Sequence, residues 1–119
     1  DVSPLADFAG CEGRMLFSEI DEIPFLDNAN SGTNPESIRD AAAYLKTKTA
    51  KRTVLVTGEG AHAVCEGIDD EELKAVINEI NPADVIYAEG KSFDELKNES
   101  LTRAKELDAA VLMCVKTWR

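Results

Sequence analysis

The amino-acid sequence predicts a three-layer α/β fold with a mostly parallel β-sheet, and three observations support this prediction. Short runs rich in Val, Ile and Leu alternate along the chain with longer segments that carry an apolar stripe at helical spacing. The short runs are almost continuously apolar, which is typical of strands covered by helices on both faces. Polar loops containing Gly follow the strands, as expected where parallel strands end at a ligand-facing edge.

The strands come first along the chain. Four runs have the composition of buried strands and cover residues 24–27, 53–57, 84–88 and 110–115. A further strand within 14–20 is expected to pair with the first of these through a turn at Asp21 and Glu22, which gives an N-terminal antiparallel hairpin. The remaining strand–helix–strand connections favour right-handed parallel crossovers, so the whole sheet is expected to be Rossmann-like.

Three helices are expected between the parallel strands. The first two each carry one apolar stripe at positions i, i+3, i+4 and i+7. The stripes are Ile38, Ala41, Ala42 and Leu45 in the first helix, and Leu73, Val76, Ile77 and Ile80 in the second. The third helix covers about 92–107, and its inner side is expected to hold Phe93, Leu96, Ala104 and Leu107.

The helix starts carry clear signals. Asn34 precedes Pro35, which is the pattern of an N-cap followed by a proline at the first helical position. Asp69 and Ser92 are each followed three residues later by a Glu, which is the spacing of a capping box. The acidic run 69–72 is therefore interpreted as the first turn of a helix, where the helix dipole favours carboxylates, and no metal ligand is assigned to it.

The length and composition indicate one domain. The chain has 119 residues, of which 44% are hydrophobic, and this is enough for a single core. Residues 1–12 have little periodicity and are interpreted as a linker or an excised boundary, so that residues 13–119 form the domain. Because the chain does not begin with Met, we expect it to be one domain of a longer protein.

The charge argues against two classes of partner. The formal net charge is −10, which repels nucleic-acid phosphates and anionic lipids, so small molecules or proteins are the expected partners. No apolar run is long enough to span a membrane. Cys11, Cys65 and Cys114 are far apart and form no Cys-x-x-Cys pair, which predicts a reduced, cytoplasmic compartment.

The loops after the strands are the expected place for a ligand. They read "NANSGTN" after Asp27, "GEGAH" after Thr57 and "EGKS" after Ala88, and the last begins at Lys116. The helix start at Asn34 offers free N–H groups to an anion or a carbonyl. An ordinary turn is the alternative, since Asn, Ser, Thr and Gly also form loops without a ligand.

Other candidate residues favour structural roles. The "GEGAH" loop lacks the Lys and the hydroxyl residue of a phosphate-binding P-loop. His62 is the only histidine, and a general base would need an orienting carboxylate and a nucleophile beside it, so a hydrogen-bonding or surface role is favoured. Cys114 lies within an apolar run and is expected in the core.

The order of several motifs resembles the C-terminal domain of the Mur ligase family, which includes the muramyl-peptide ligases and folylpolyglutamate synthetase. The motifs are "GRM" at 13–15, a strand ending in Asp27, "NPESI" at 34–38, "RTVLVTGEG" at 52–60 and "VLMCVK" at 111–116. The resemblance covers about residues 10–116. It implies a domain of an ATP-dependent ligase that converts a carboxylate to an acyl phosphate, which an amine attacks to form an amide.

The resemblance also implies what this chain lacks. The P-loop, the Mg²⁺ ligands and the carbamylated lysine of such ligases belong to a central ATPase domain, so no catalytic residue is assigned here and the fragment alone is expected to be inactive. ATP and Mg²⁺ are the implied cofactors, and the central domain and small carboxylate and amine substrates are the implied partners. The C-terminal domain closes over the nucleotide, excludes water and aligns the reactants.

Residue by residue, the resemblance assigns two sets of contacts. Those to the nucleotide are Arg14, Asp27 and Asn30, and those to the substrate are Thr33, Asn34 and Lys116. The chain departs from the family pattern where "NAN" replaces Tyr-Ala-His and where "AEGK" lacks Asp-Asn-Pro-Arg. These departures imply a divergent member of the family. Two alternatives remain: an archaeal Mur-like ligase that activates a carboxylate of a nickel-tetrapyrrole coenzyme precursor in methanogens, or a non-catalytic binding module for a small ligand or protein.

Overall fold

The structure is a computed structural model that describes residues 13–59 and 69–117. Within them the chain forms β1 (Leu16–Ile20), β2 (Ile23–Asp27), α1 (Pro35–Lys46), β3 (Thr53–Glu59), α2 (Asp70–Ile80), β4 (Asp84–Tyr87), α3 (Phe93–Leu107) and β5 (Ala110–Lys116). The expected boundary at 1–12 and the interpretations of Cys11, His62 and Cys65 lie outside the described residues.

The sheet has the predicted class and a strand order that places the last strand in the middle. The order is β1-β2-β5-β3-β4, with β1 antiparallel to β2 and all other pairs parallel. Asp21 and Glu22 form the hairpin turn with φ of 51° and 69°, which matches the twist that a two-residue hairpin needs. The Rossmann-like prediction and the N-terminal hairpin are therefore confirmed.

Helices cover both faces of the sheet. The apolar stripes of α1 and α2 pack with Leu26, Leu55 and Leu112 in one buried cluster. On the other face, α3 packs against a second cluster that includes Phe25 and Val111. Alternating residues of the same strands therefore enter different clusters, and this gives the three layers that the sequence predicts.

The helices begin where their caps predict. The Asn34 side chain accepts a hydrogen bond from the backbone N–H of Ser37, and the Ser37 hydroxyl accepts one from the Asn34 N–H, which makes a full capping box. Ser92 makes a capping box at the start of α3. Asp69 caps α2 by accepting a hydrogen bond from the N–H of Glu72, which is one half of the predicted box.

Two sequence interpretations are wrong. Leu107 was expected on the inner side of α3, but it is 45% exposed because it is the last residue of the helix and has no further packed turn beyond it. The strand at 84–88 was expected to be buried throughout, but β4 lies at the edge of the sheet and Tyr87 is 56% exposed. Ile86 is its only fully buried residue.

Candidate functional site

The loop over 28–34 continues β2 and stays attached to the central strand. The Asn28 N–H donates to the Met113 carbonyl at 2.8 Å, and the Asn30 N–H donates to the Val115 carbonyl at 3.1 Å. Asn30 also forms an isolated parallel bridge with Lys116. The loop is therefore fixed against β5 at the carboxyl edge of the sheet, where ligands of open parallel sheets bind.

Thr33 forms the buried centre of this loop. Its side chain is fully buried, and its hydroxyl lies 3.2 Å from the Asn28 carbonyl and 3.1 Å from the Val115 carbonyl, to either of which it donates. The same oxygen accepts a hydrogen bond from the Asn30 N–H at 3.3 Å. The predicted substrate contact at Thr33 thus has a side chain that points into the loop.

The Asn30 side chain ties the loop to the segment that precedes β1. Its Nδ2 donates to the Gly13 carbonyl at 2.6 Å, and its Oδ1 accepts from the Gly32 N–H at 2.8 Å. A weaker bond runs from Nδ2 to the Asn28 carbonyl at 3.4 Å. Both polar atoms of this amide are therefore bonded to the backbone of the loop and of its neighbour.

Lys116 reaches across the edge to the same loop. Its Nζ donates to the Ser31 carbonyl at 2.8 Å and to the Thr33 carbonyl at 3.4 Å. It pairs in register with Glu59, one position beyond the pairing of Gly58 with Val115. The loop, Gly58 and Lys116 accordingly lie on the same edge of the sheet, as the sequence predicts.

Arg14 and Asn34 are the exposed members of the predicted site. Arg14 follows Gly13, whose carbonyl Asn30 holds, and it makes no ion pair with any residue in 13–59 or 69–117. The Asn34 side chain caps α1 and donates to the Gly32 carbonyl at 3.2 Å. The exposed guanidinium of Arg14 is a group that suits a phosphate or a carboxylate.

Asp27 ends β2 beside the core. It is 6% exposed, and its Oδ1 accepts a hydrogen bond from the Ala29 N–H at 3.1 Å. Burial raises the pKa of the nearby Cys114 thiol, and the negative charge of Asp27 raises it further. Cys114 is therefore a core residue, as predicted, and not a nucleophile.

A crevice lies between the ends of β3 and β4, where the loops after Thr57 and Ala88 were expected to meet a ligand but no site residue was assigned. It has a volume of about 240 Å³ and is lined by Gly58, Glu59, Asp70, Leu73, Tyr87, Ala88 and Glu89. The helix after β3 packs on one face and the helix after β4 on the other, which makes this position a switch point of the sheet. The sequence signal for this crevice is the polar, Gly-containing loop that follows each of the two strands.

The implied cofactors are ATP and Mg²⁺, and the residues that the structure describes suit the first better than the second. Arg14 suits a nucleotide phosphate, since it offers an exposed cation. The start of α1 does not offer the free N–H groups expected at Asn34, because the capping box engages the N–H groups of Asn34 and Ser37 and Pro35 has none. No group of three or more His, Cys, Asp or Glu side chains that could hold a metal ion occurs within 13–59 and 69–117. No Mg²⁺ ligand is therefore assigned among the described residues. No helix of these two segments has the length and apolar character of a membrane span.

Comparisons with known proteins identify the family. Residues 17–118 match the family model described as coenzyme F430 synthetase CfbE, C-terminal domain. Coenzyme F(430) synthetase of Methanosarcina acetivorans is 30% identical over 136 aligned residues, which cover 99% of this chain and 29% of the relative. The chain thus spans less than a third of that relative, and no solved structure matches. The chain belongs to the family of coenzyme F430 synthetase C-terminal domains.

Proposed function

We propose that this chain is the C-terminal domain of an ATP-dependent ligase of the Mur type, which activates a carboxylate of a nickel-tetrapyrrole coenzyme precursor. The family match over 17–118 is the observation that carries this proposal, because a coenzyme synthetase domain favours the coenzyme-ligase alternative over the others that the sequence left open. The proposed partners are a central ATPase domain of the same longer chain and a small-molecule carboxylate. The cytoplasm remains the proposed compartment.

The proposed chemistry has two steps. The terminal phosphoryl group of ATP moves to a carboxylate oxygen, which gives an acyl phosphate and ADP. A nucleophile then forms a bond to the carbonyl carbon, and inorganic phosphate leaves. An amine nucleophile is an implication of the general Mur resemblance, whereas the relative's name specifies a coenzyme synthetase and no nucleophile.

The edge formed by the 28–34 loop would act by closing over reactants that another domain holds. Its contribution is to exclude water from the acyl phosphate and to align the reacting groups. Arg14 is the proposed contact to the nucleotide phosphates, because it is exposed and makes no ion pair within the described residues. Asn34 keeps its proposed role at the substrate, since it is exposed at the start of α1 and both bonds of its amide, to Ser37 and to Gly32, are exposed as well.

Three other residues of the predicted site are proposed to position the loop. Asn30, Thr33 and Lys116 direct their side-chain polar atoms at backbone groups of the loop or of its neighbours. Their effect on turnover would therefore be indirect, through the shape of the edge that Arg14 and Asn34 share. Asp27 stays a proposed nucleotide contact at the end of β2.

The experiment uses the full-length ligase, ATP, Mg²⁺ and the tetrapyrrole carboxylate, with ADP release as the readout. Hydroxylamine intercepts acyl phosphates as hydroxamates, so a substrate hydroxamate is the expected second product. Arg14→Ala should lower kcat/KM for ATP by roughly tenfold, which is the effect of losing one charge-assisted contact to a phosphate. Lys105→Ala, which removes the same charge in the last turn of α3, is the matched control.

Three results would contradict the proposal. ADP release that does not depend on the carboxylate, with no hydroxamate formed, would remove the acyl phosphate. Equal turnover in wild type, Arg14→Ala and Lys105→Ala would remove this edge from the nucleotide site. If the full-length protein binds the tetrapyrrole without consuming ATP, the non-catalytic binding module is correct instead.

A further inference from the structure

A second concave surface lies at the amino edge of the sheet, opposite the 28–34 loop. It is bounded by the end of α1, the end of α2 and the first residues of β3, and we call it the basal groove. Its volume is about 500 Å³. This size is within the range of small-molecule sites, which is roughly 300–1,000 Å³.

The floor and the rim of the basal groove differ in chemistry. The apolar surface comes from Ile80, which is half-buried, and from Ala50, which is exposed. Ala42 and Leu45 also line the groove, but they belong to the buried core and expose little surface. The rim carries Lys46 and Arg52, and it continues to a third cation, Lys51. An apolar floor with cations at one side is the pattern of a site for a molecule that has both an apolar body and a negative charge.

The positive charge here stands out against the rest of the chain. Residues 46–52 read "KTKTAKR" and hold four of the 13 Lys and Arg residues, in a protein whose net charge is −10. Two helix C-termini meet the groove, and each carries the equivalent of about half a negative charge. Together with one nearby carboxylate, Asp108, they offset about two of the three rim charges, so a positive excess remains.

One of the three rim cations is fixed by hydrogen bonds, and the other two can pair with a bound anion. The Arg52 Nη2 donates to the carbonyls of Asn81 and Pro82 at 3.1 and 3.0 Å, which fixes the guanidinium beside the end of α2. Lys51 pairs with Asp108 at 2.9 Å, but the Asp108 side chain is 88% exposed, and exposed pairs of this kind contribute little. Lys46 makes no ion pair within residues 13–59 and 69–117.

We propose that the basal groove binds an organic anion that joins a carboxylate or phosphate group to an apolar body. An inorganic anion would leave the apolar floor in water, and an uncharged apolar molecule would desolvate the rim cations without pairing them. An anion with an apolar body satisfies both surfaces at once. This site is separate from the proposed nucleotide edge, so it stands or falls independently of the proposed ligase function.

The test uses 8-anilinonaphthalene-1-sulfonate, which has an apolar ring system and one negative charge, with the full-length protein. Titration calorimetry measures its affinity for wild type and for two variants, Lys46→Glu and Ala50→Leu. The first reverses a rim charge, and the second places a larger side chain in the groove from an exposed loop position without changing any charge. The controls are Lys74→Glu and Ala43→Leu, at exposed helix positions outside the groove lining.

The proposal predicts that each groove variant loses about fivefold in affinity, the scale of one partly exposed ion pair or of a few lost contacts, while the controls stay within twofold. Added salt should weaken binding to wild type. Equal affinity in all five proteins, or an equal loss in the controls, would overturn the proposal. Should Lys46→Glu fail to fold, Ala50→Leu decides alone, since its site is exposed. Displacement of the probe by inorganic phosphate at equal concentration would overturn the claim that an apolar body is needed.

Discussion

Replacing Asn30 by Asp tests whether this residue shapes the 28–34 loop or serves mainly as a ligand contact. Asp has the same size as Asn and keeps the oxygen that accepts from the Gly32 N–H at 2.8 Å. It loses the N–H that donates to the Gly13 carbonyl at 2.6 Å. The substitution therefore places a carboxylate oxygen against a carbonyl oxygen at a distance where a hydrogen bond had been.

The magnitude follows from that one contact. Loss of a neutral hydrogen bond removes ~1 kcal/mol, and leaving the partner acceptor unpaired in a partly buried place adds ~1–2 kcal/mol. We expect Asn30→Asp to lower the free energy of unfolding by ~2–3 kcal/mol, which is a large part of the ~5–15 kcal/mol that holds a domain together. The bond from Asn30 to Gly32 should persist.

The assay is urea unfolding of the 119-residue chain, with Asn34→Asp as the matched control. The control makes the same chemical change four positions later, where Asp is as good an N-cap as Asn and its oxygen still accepts from the Ser37 N–H. It also loses the donation to the Gly32 carbonyl at 3.2 Å, but that bond is exposed and water replaces it. It should change stability by less than ~0.5 kcal/mol. If the two variants are equally stable, Asn30 does not organise the loop and the reasoning is refuted.

Three further predictions concern stability and reactivity. Gly58→Ala should cost ~1–3 kcal/mol in urea unfolding, because φ is 107° there and a residue with a Cβ is strained at that value; an unchanged midpoint would contradict it. The Val85 N–H and the Arg103 guanidinium lower the pKa of Asp84, so the stability that they contribute is complete above about pH 4 and is lost as the pH falls through the lower folded-state pKa. Asp84→Asn should therefore make the free energy of unfolding fall less steeply with decreasing pH than in wild type, and an equally steep fall would disprove this. Cys114 should react with a thiol reagent only as fast as the chain unfolds when the other two cysteines are serine, because burial raises the pKa of its thiol; rapid reaction of the native protein would show otherwise.

The fold could be predicted from the sequence where local physics decides it. The start of α1 at Asn34 and Pro35 and the hairpin turn at Asp21 and Glu22 depend on residues that touch each other along the chain. Exposure at Tyr87 depends instead on which strand lies at the edge of the sheet. Periodicity within one segment does not contain that information, and the interpretation of β4 as fully buried was wrong for this reason.

The sequence could predict where the candidate site lies, but it could not predict which role each residue of the site has. Loops after parallel strands meet at one edge, so the positions of the 28–34 loop and Lys116 were predictable. The bond from the Lys116 Nζ to the Ser31 carbonyl joins residues 85 positions apart, and it exists because β5 lies beside β2. Which polar side chains face the loop and which face solvent depends on that strand order, so the assignment of Asn30 and Lys116 to ligands stays a prediction.

Amide hydrogen exchange on the full-length protein, with and without ATP and Mg²⁺, tests the central claim most directly. If the edge carrying Arg14 and the 28–34 loop closes over a nucleotide held by another domain, backbone N–H groups near that edge gain protection while residues 46–52, at the opposite edge, do not. Protection confined to residues 46–52, or none at either edge, would contradict the account.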